Sequence, residues 1–159
     1  MIGDPQVMSH LQAELKILLT NINQTFVHYR MLQHWGFGIL GQSEYKASIK
    51  AMKQSDELMA RIFLLDGLPN LQDLGKLRIG EDVQELLECD LQLELESQKA
   101  LKAGIAQAET AMDFVSRDLL QEMLEDIEER IDFLETQLSL IEKTGLPNYL
   151  QSQMQEQSH

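Results

Sequence analysis

Residues 66–82 read DGLPNLQDLGKLRIGED and separate two long stretches of helical sequence. They hold three of the nine glycines and one of the three prolines, and neither residue type fits the interior of a helix. The stretch also carries five leucine and isoleucine side chains, which are too many apolar groups for a solvated linker. We therefore predict an ordered connection that crosses a folded surface. Such a connection joins two helical hairpins in some four-helix bundles.

The composition indicates one acidic globular domain. A chain of 159 residues with 43% hydrophobic residues can build a single core, and we expect one domain over residues 1–159. Its 26 acidic and 13 basic residues give a formal charge of −13, which disfavours binding to nucleic acid or to an anionic membrane surface. Cys89 is the only cysteine, so no intrachain disulfide can form. Because the sequence after Met1 lacks a charged and then apolar leader, and no run is long enough to span a membrane, we expect a cytoplasmic location.

Apolar residues recur at steps of three and four on both sides of the connection, which is the pattern of helices with one buried face. The predicted fold class is therefore all-α, a four-helix bundle with a long crossover and a short fifth C-terminal helix. The predicted elements are helices over about 4–35, 40–65, 82–108, 113–144 and 147–154, a crossover at 66–81, and a polar, frayed end at 155–159.

The second predicted helix carries two stripes. Small residues such as Ser48 and Ala51 form its inward face, and a second, apolar stripe of Tyr45, Ile49 and Met52 lies beside them. Two apolar stripes on one helix indicate two partners. One is the bundle core, and the other is another subunit or a flat ligand.

Several separate blocks of this sequence resemble bacterioferritin, and they occur in the same order and at compatible spacing from Gly3 to Met154. The blocks are GDPQV at 3–7, NINQTFVHYRML at 21–32, LLDGLPNLQDLGKLRIGED at 64–82, FVSRDLL at 114–120, IDFLETQLSLIEK at 131–143 and GLPNYLQSQM at 145–154. The resemblance implies a ferritin-like bundle that assembles into a hollow shell of 24 subunits. Such a shell stores a ferric mineral core and binds heme b at twofold interfaces between subunits.

The resemblance also implies a di-iron oxidation site inside each bundle, made of one Glu from each of two helices and a Glu-x-x-His from each of the other two. In this chain only Glu94 matches that ligand set. The positions that depart from it are Leu18, Ala51, Gln54, Ile127 and Arg130. We therefore predict that this subunit has no working di-iron site and no catalytic residue of its own.

A lone carboxylate inside a bundle is costly, so Glu94 needs a partner. One hypothesis is an internal ion pair between Glu94 and Arg130, with hydrocarbon from Leu18, Ala51 and Ile127 filling the former metal cavity. The alternative is that Arg130 extends to solvent and Glu94 meets water.

Met52 matches the methionine that ligates heme iron in bacterioferritin, where two subunits supply one axial ligand each. By the same resemblance, the heme pocket is lined by Leu19, Ile22, Asn23, Phe26, Tyr45 and Ile49. The alternative is ordinary packing, because methionine most often fills gaps in a core. The histidines lack a ligand-like spacing on one helix face, and His28 is expected to hydrogen-bond at a helix surface or an interface.

Two surface assignments also rest on the resemblance. Leu68, with Glu81 and Glu85, corresponds to the patch that receives a [2Fe–2S] ferredoxin in the family, and a leucine packed beneath its own loop is the alternative. Asn148 and Gln151 resemble pore-lining positions at the family's fourfold axis.

The function predicted first is iron storage by a heme-binding subunit. It would assemble with a ferroxidase-competent subunit and pass electrons inward to release iron. One alternative is a self-sufficient heme-binding shell that carries electrons or stores iron passively. Another is a purely structural helical assembly in which Met52 only packs at an interface.

Overall fold

The computed structural model describes residues 1–154, and within them the chain forms five α-helices and no strands. The helices are α1 Pro5–Trp35, α2 Gly38–Leu64, α3 Val83–Thr110, α4 Phe114–Thr144 and α5 Leu146–Ser152. α1 pairs with α2, α3 pairs with α4, and α1 also lies along α3, while α5 packs against α4. This confirms the predicted four-helix bundle with a short fifth helix. The frayed end predicted at 155–159 lies outside the described residues.

Helix ends follow the capping residues in the sequence. The Asp4 carboxylate accepts hydrogen bonds from the backbone N–H groups of Gln6 and Val7, and Asp82 and Asp113 cap α3 and α4 in the same way. Gly36 ends α1 with a φ of 88°, a left-handed conformation that favours glycine. α2 begins at Gly38, two residues before its predicted start at 40, and has no side-chain cap. No helix of the described part is long and apolar enough to cross a membrane.

The interior contains two apolar clusters. The larger one fills the middle of the bundle and the end where α1 begins, and includes Leu11, Leu58 and Leu101. The smaller one lies where α1 ends, and includes Leu32 and Leu87 together with Tyr149 of α5. The short fifth helix is therefore fixed to the bundle by a buried aromatic side chain.

The crossover between α2 and α3 is attached to α1 by polar side chains. The side chains of Thr20, Gln24 and His28 each accept a hydrogen bond from a crossover backbone N–H, at 3.0, 3.0 and 3.1 Å. Gln12, two turns before Thr20, contacts the same connection at the backbone of Leu68 and Asn70. These residues stand at multiples of four positions, so they form a row that runs obliquely along α1.

Within a single chain, burial of the leucine side chains does not explain why the crossover is ordered. Leu68, Leu71, Leu74 and Leu77 are between 40% and 77% exposed. The connection is ordered as the sequence predicts, but its backbone hydrogen bonds hold it while its apolar side chains face outward.

Gly80 is the point of closest approach between the crossover and α3. A Cβ atom at this position would collide with the backbone of Glu85 and Leu86. We expect Gly80→Ala to lower the free energy of unfolding by about 2 kcal/mol or more, because backbone atoms cannot move aside as a flexible side chain can. Denaturant unfolding at fixed protein concentration measures the loss. Gln72→Ala, an exposed change in the same crossover, is the control, and equal midpoints for the two variants would contradict this account.

Candidate functional site

An apolar face on α1 and α2 gathers the residues that the resemblance assigns to a heme pocket. Tyr45, Ile49 and Met52 follow one another at steps of four and three on α2. Leu19, Ile22, Asn23 and Phe26 lie within two turns of α1. The two helices meet at this level, because the Ser48 hydroxyl donates to the Ile22 carbonyl at 2.8 Å. Aromatic rings continue the face, with the Tyr29 ring centroid 5.8 Å from that of Phe26 and 5.0 Å from that of Tyr45. The sequence-predicted residues therefore lie on one side of one helical hairpin.

Met52 is 52% exposed, and it lies outside the core. Met123, by contrast, is only 1% exposed and belongs to the larger apolar cluster. Phe26 at 42% and Tyr45 at 38% exposure flank it as large apolar groups in contact with solvent. A soft thioether among exposed aromatic side chains suits a flat apolar ligand that a second subunit covers. We name this surface, from Leu19 to Phe26 and from Tyr45 to Met52, the Met52 face.

Most of the positions where the resemblance implies di-iron ligands carry side chains without a metal-ligating donor. Leu18, Ala51 and Ile127 are buried at 2%, 2% and 4% exposure and belong to the larger apolar cluster. The Gln54 amide donates to the Asp126 carboxylate at 3.3 Å. A cavity of about 60 Å³ remains beside them, and Glu94 and Arg130 are also in its wall. Hydrocarbon therefore occupies most of the region where the resemblance implies metal ligands, but a cavity remains there.

The hypothesis of an ion pair between Glu94 and Arg130 is wrong in this structure. Glu94 accepts a hydrogen bond from the Asn21 amide at 2.7 Å. Arg130 instead donates to the carboxylate of Glu44 at 2.8 Å and to the hydroxyl of Ser43 at 3.0 Å. The guanidinium contacts the carboxylate that has no exposed surface, where an ionic partner matters most.

Glu94 stays close enough to Arg130 to sense its charge. Burial raises the pKa of the Glu94 carboxyl to about 7, although Arg130 and the hydrogen bond from Asn21 oppose the rise. A carboxyl with that pKa holds a proton in a large fraction of molecules at neutral pH.

A second polar group in the bundle escaped the sequence analysis. His28, Glu44 and Asp90 are all buried, and one ligand-type atom from each lies within 4.8 Å of the others. The expected surface position of His28 is wrong, since its ring has no exposed area and contacts Asp90 at 2.9 Å. The available signal was spacing. Glu14, Asn21 and His28 stand seven apart on α1, so they share a helix face with the buried leucines.

Within one chain, Leu68 lies far from Glu81 and Glu85. Leu68 is 77% exposed, so it does not pack beneath its own loop. Its backbone lies at the level of Gln12, whereas Gly80, next to Glu81, lies at the level of His28. Sixteen helical residues separate those two levels, or roughly 24 Å at 1.5 Å per residue. One subunit alone therefore does not join Leu68 to Glu81 and Glu85.

Asn148 and Gln151 lie on exposed positions of α5. The Asn148 amide donates to the backbone carbonyl of Thr144 at 2.8 Å, which fixes its side chain against the end of α4.

Comparison with known proteins agrees with the fold and the quoted blocks. Residues 8–144 match the family described as ferritin-like domain. The chain is 41% identical to the bacterioferritin of Brucella melitensis over 149 residues, covering 94% of this chain and 92% of that protein. It is 43% identical to the bacterioferritin of Mycobacterium bovis over 145 residues, 91% of each chain. The bacterioferritin of Rhodobacter capsulatus is 39% identical over 145 residues, 91% of this chain and 90% of that protein. With this extent of identity on a bundle of the matching architecture, the chain belongs to the bacterioferritin family of ferritin-like proteins.

Proposed function

We propose that this chain is an iron-storage subunit that binds heme at the Met52 face and lacks a di-iron oxidation site of its own. The observation that carries the proposal is the contrast between two positions one residue apart on α2. Met52 carries a thioether that could ligate iron and is 52% exposed, whereas Ala51 is 2% exposed and has no donor where the family places a ligand.

The Met52 face fits a heme held between two copies of the chain. A thioether is a neutral, soft ligand that favours reduced iron, and methionine ligation is known for heme proteins. Each copy would offer the Met52 sulfur to the heme iron, so a twofold pair would offer two sulfurs. Phe26, Tyr45 and Ile49 would cover the apolar faces of the macrocycle, and burial of this surface would supply much of the binding free energy. When bound, heme b supplies one-electron transfer between the outside of the shell and its contents.

The bundle interior does not fit a pair of iron ions. Leu18, Ala51 and Ile127 carry no donor atoms, and the Arg130 guanidinium adds a positive charge near the position where cations would bind. One carboxylate, Glu94, is too few ligands for two ions that each need several oxygen or nitrogen donors. Fe(II) oxidation would therefore come from other subunits in a mixed shell, around a ferric mineral core.

An alternative is a shell of this subunit alone, acting as an electron carrier or a passive store. In either case we propose a cytoplasmic protein, with Asn148 and Gln151 lining a pore between subunits. Production together with a ferroxidase-type bacterioferritin separates the two functions. Shells that contain both subunits would favour co-assembly, and separate homopolymers would favour the alternative.

One prediction from this proposal concerns Met52 as a ligand of the heme iron. Met52→Leu keeps the size and apolar character of the side chain but removes the sulfur, so we expect loss of the bis-methionine heme spectrum and of most bound heme. Absorption spectroscopy and heme content per subunit measure the effect. Met112→Leu is the matched control, because Met112 is 73% exposed at the turn between α3 and α4. Unchanged heme spectra in the Met52 variant would refute the ligand assignment.

The second prediction concerns Fe(II) oxidation. We expect the wild-type homopolymer to oxidise Fe(II) slowly, and a variant that restores the family's ligands to do so faster. The five changes are Leu18→Glu, Ala51→Glu, Gln54→His, Ile127→Glu and Arg130→His. As the control, adding Glu94→Ala to that variant should remove the gain by about tenfold or more, since each metal ligand contributes strongly to affinity or activity. Rapid oxidation by the wild-type homopolymer would contradict the proposed loss of the site.

The third prediction concerns the electron donor. Because one subunit keeps Leu68 apart from Glu81, we propose that the docking patch forms across a twofold pair, with Leu68 from one copy and Glu81 and Glu85 from the other. An apolar anchor flanked by acids suits a basic surface on a [2Fe–2S] ferredoxin. Leu68→Glu combined with Glu81→Lys should slow heme reduction while heme content stays constant. Leu71→Glu with Glu88→Lys is the control of equal charge change, and equal rates for both pairs would argue against docking at Leu68.

A further inference from the structure

The buried group of His28, Glu44 and Asp90 serves neither the Met52 face nor the former di-iron position. It lies where α1, α2, α3 and α4 meet the crossover, at the end of the bundle covered by Tyr149 of α5. Glu44 and His28 have no exposed area, and Asp90 is 1% exposed. Two carboxyl groups so deeply buried require a specific neutralising arrangement.

Hydrogen bonds fix the protonation state of the histidine. The His28 Nε2 atom accepts from the Gly80 backbone N–H at 3.1 Å, so it cannot carry a proton of its own. The Nδ1–H group therefore donates to Asp90 Oδ1 at 2.9 Å, and the Gln24 amide donates to the same oxygen at 3.0 Å. His28 is thus held as the neutral Nδ1–H tautomer and adds no positive charge.

The charges of the group do not balance without one more proton. Arg130 supplies one positive charge, bonded to Glu44 Oε2 at 2.8 Å and 3.8 Å from Asp90 Oδ2. Two ionised carboxylates would leave an uncompensated negative charge. Moreover, Glu44 Oε1 and Asp90 Oδ2 are both buried and have no hydrogen-bond partner among the described residues. A single proton on the carboxyl pair would neutralise the group, and the two residues have carboxyl oxygens within 4.8 Å of each other.

We propose that Glu44 and Asp90 share one buried proton, so that the pair acts as a proton-binding site which fastens the crossover end of the bundle. The effects of burial and of neighbouring groups on the two pKa values favour this arrangement. Burial raises the pKa of Glu44 well above its ordinary value, and the charge of Asp90 raises it further. Burial opposes the ionisation of Asp90 as well, but the hydrogen bonds from Glu44 and His28 lower its pKa.

The groups that face the pair come from every element packed around it. They are His28 from α1, Glu94 from α3, Arg130 from α4 and Tyr149 from α5, while the crossover presents the N–H of Gly80. Burial raises the pKa of the Tyr149 hydroxyl, which therefore stays protonated and neutral. Arg130 is the permanent cation in this set.

The buried proton makes the stability of the folded state depend on pH. The folded state keeps Glu44 protonated above pH 4.5, the ordinary pKa of a glutamate, whereas the unfolded chain releases that proton. The folded protein then binds more protons than the unfolded chain, so stability falls as the pH rises through this window. Glu14 and Glu94 act in the same direction, because burial raises their pKa values too. The contribution of Glu44 is therefore measured as a difference between variants.

Infrared difference spectroscopy on the assembled full-length protein tests the shared proton. A protonated carboxyl has a carbonyl stretch that ionised carboxylates lack. We expect Glu44→Gln to remove one such band at neutral pH and to make the pH dependence of the unfolding midpoint shallower. We expect Asp90→Asn to remove the same band although no glutamate has changed, because Glu44 then ionises against Arg130. The double variant should remove no more.

Two other glutamates provide controls. Glu57→Gln changes an exposed residue of the same helix and should leave the protonated band intact, whereas Glu14→Gln should remove a separate one. Retention of the band in Asp90→Asn would overturn the sharing, and its retention in both single variants would overturn the buried proton. Titration with Zn²⁺ covers the remaining possibility. A tight site lost in both single variants would make the group a metal site and refute the proposal.

Discussion

Asp90 is the buried charge around which one end of this bundle is arranged. Its carboxylate receives hydrogen bonds from Gln24 and His28 of α1, and His28 in turn receives one from Gly80 of the crossover. A buried carboxylate that lost these donors would incur a desolvation cost of several kcal/mol. The route of the crossover, the rotation of α1 and the packing of α3 are therefore fixed together. The absence of a Cβ at Gly80 is what permits this approach.

The inner and outer sides of the bundle differ in how far their apolar side chains are buried. Inside, two apolar clusters form the core within the described residues, and polar side chains of α1 hold the crossover backbone. Outside, the crossover leucines and the Met52 face leave large apolar groups exposed. Such a distribution is typical of a chain that buries part of its surface against other subunits. The fold of one chain and the completion of its surface are thus separate steps.

The helices could be predicted from the sequence because their signals are local. Apolar periodicity and the caps at Asp4, Asp82 and Asp113 depend only on neighbouring residues. The partner of Arg130 could not be predicted in that way. Arg130 lies 86 residues from Glu44 along the chain, and a long side chain can reach several carboxylates at similar heights in a bundle. The polar role of His28 was hidden for the same reason, since its partners come from the crossover and α3.

The interior of this bundle is rich in buried carboxyl groups. Glu14, Glu44, Asp90 and Glu94 are buried, and within the described residues the Arg130 guanidinium lies 2.8 Å from Glu44 and 3.8 Å from Asp90. Without metal ions, such an interior must neutralise most of these carboxyl groups with protons. The raised pKa values of Glu14, Glu44 and Glu94 and the lowered pKa of Asp90 fit that division, with one ionised carboxylate set against one guanidinium. If the proposed absence of a di-iron site holds, protons take over the charge balance of this acidic interior.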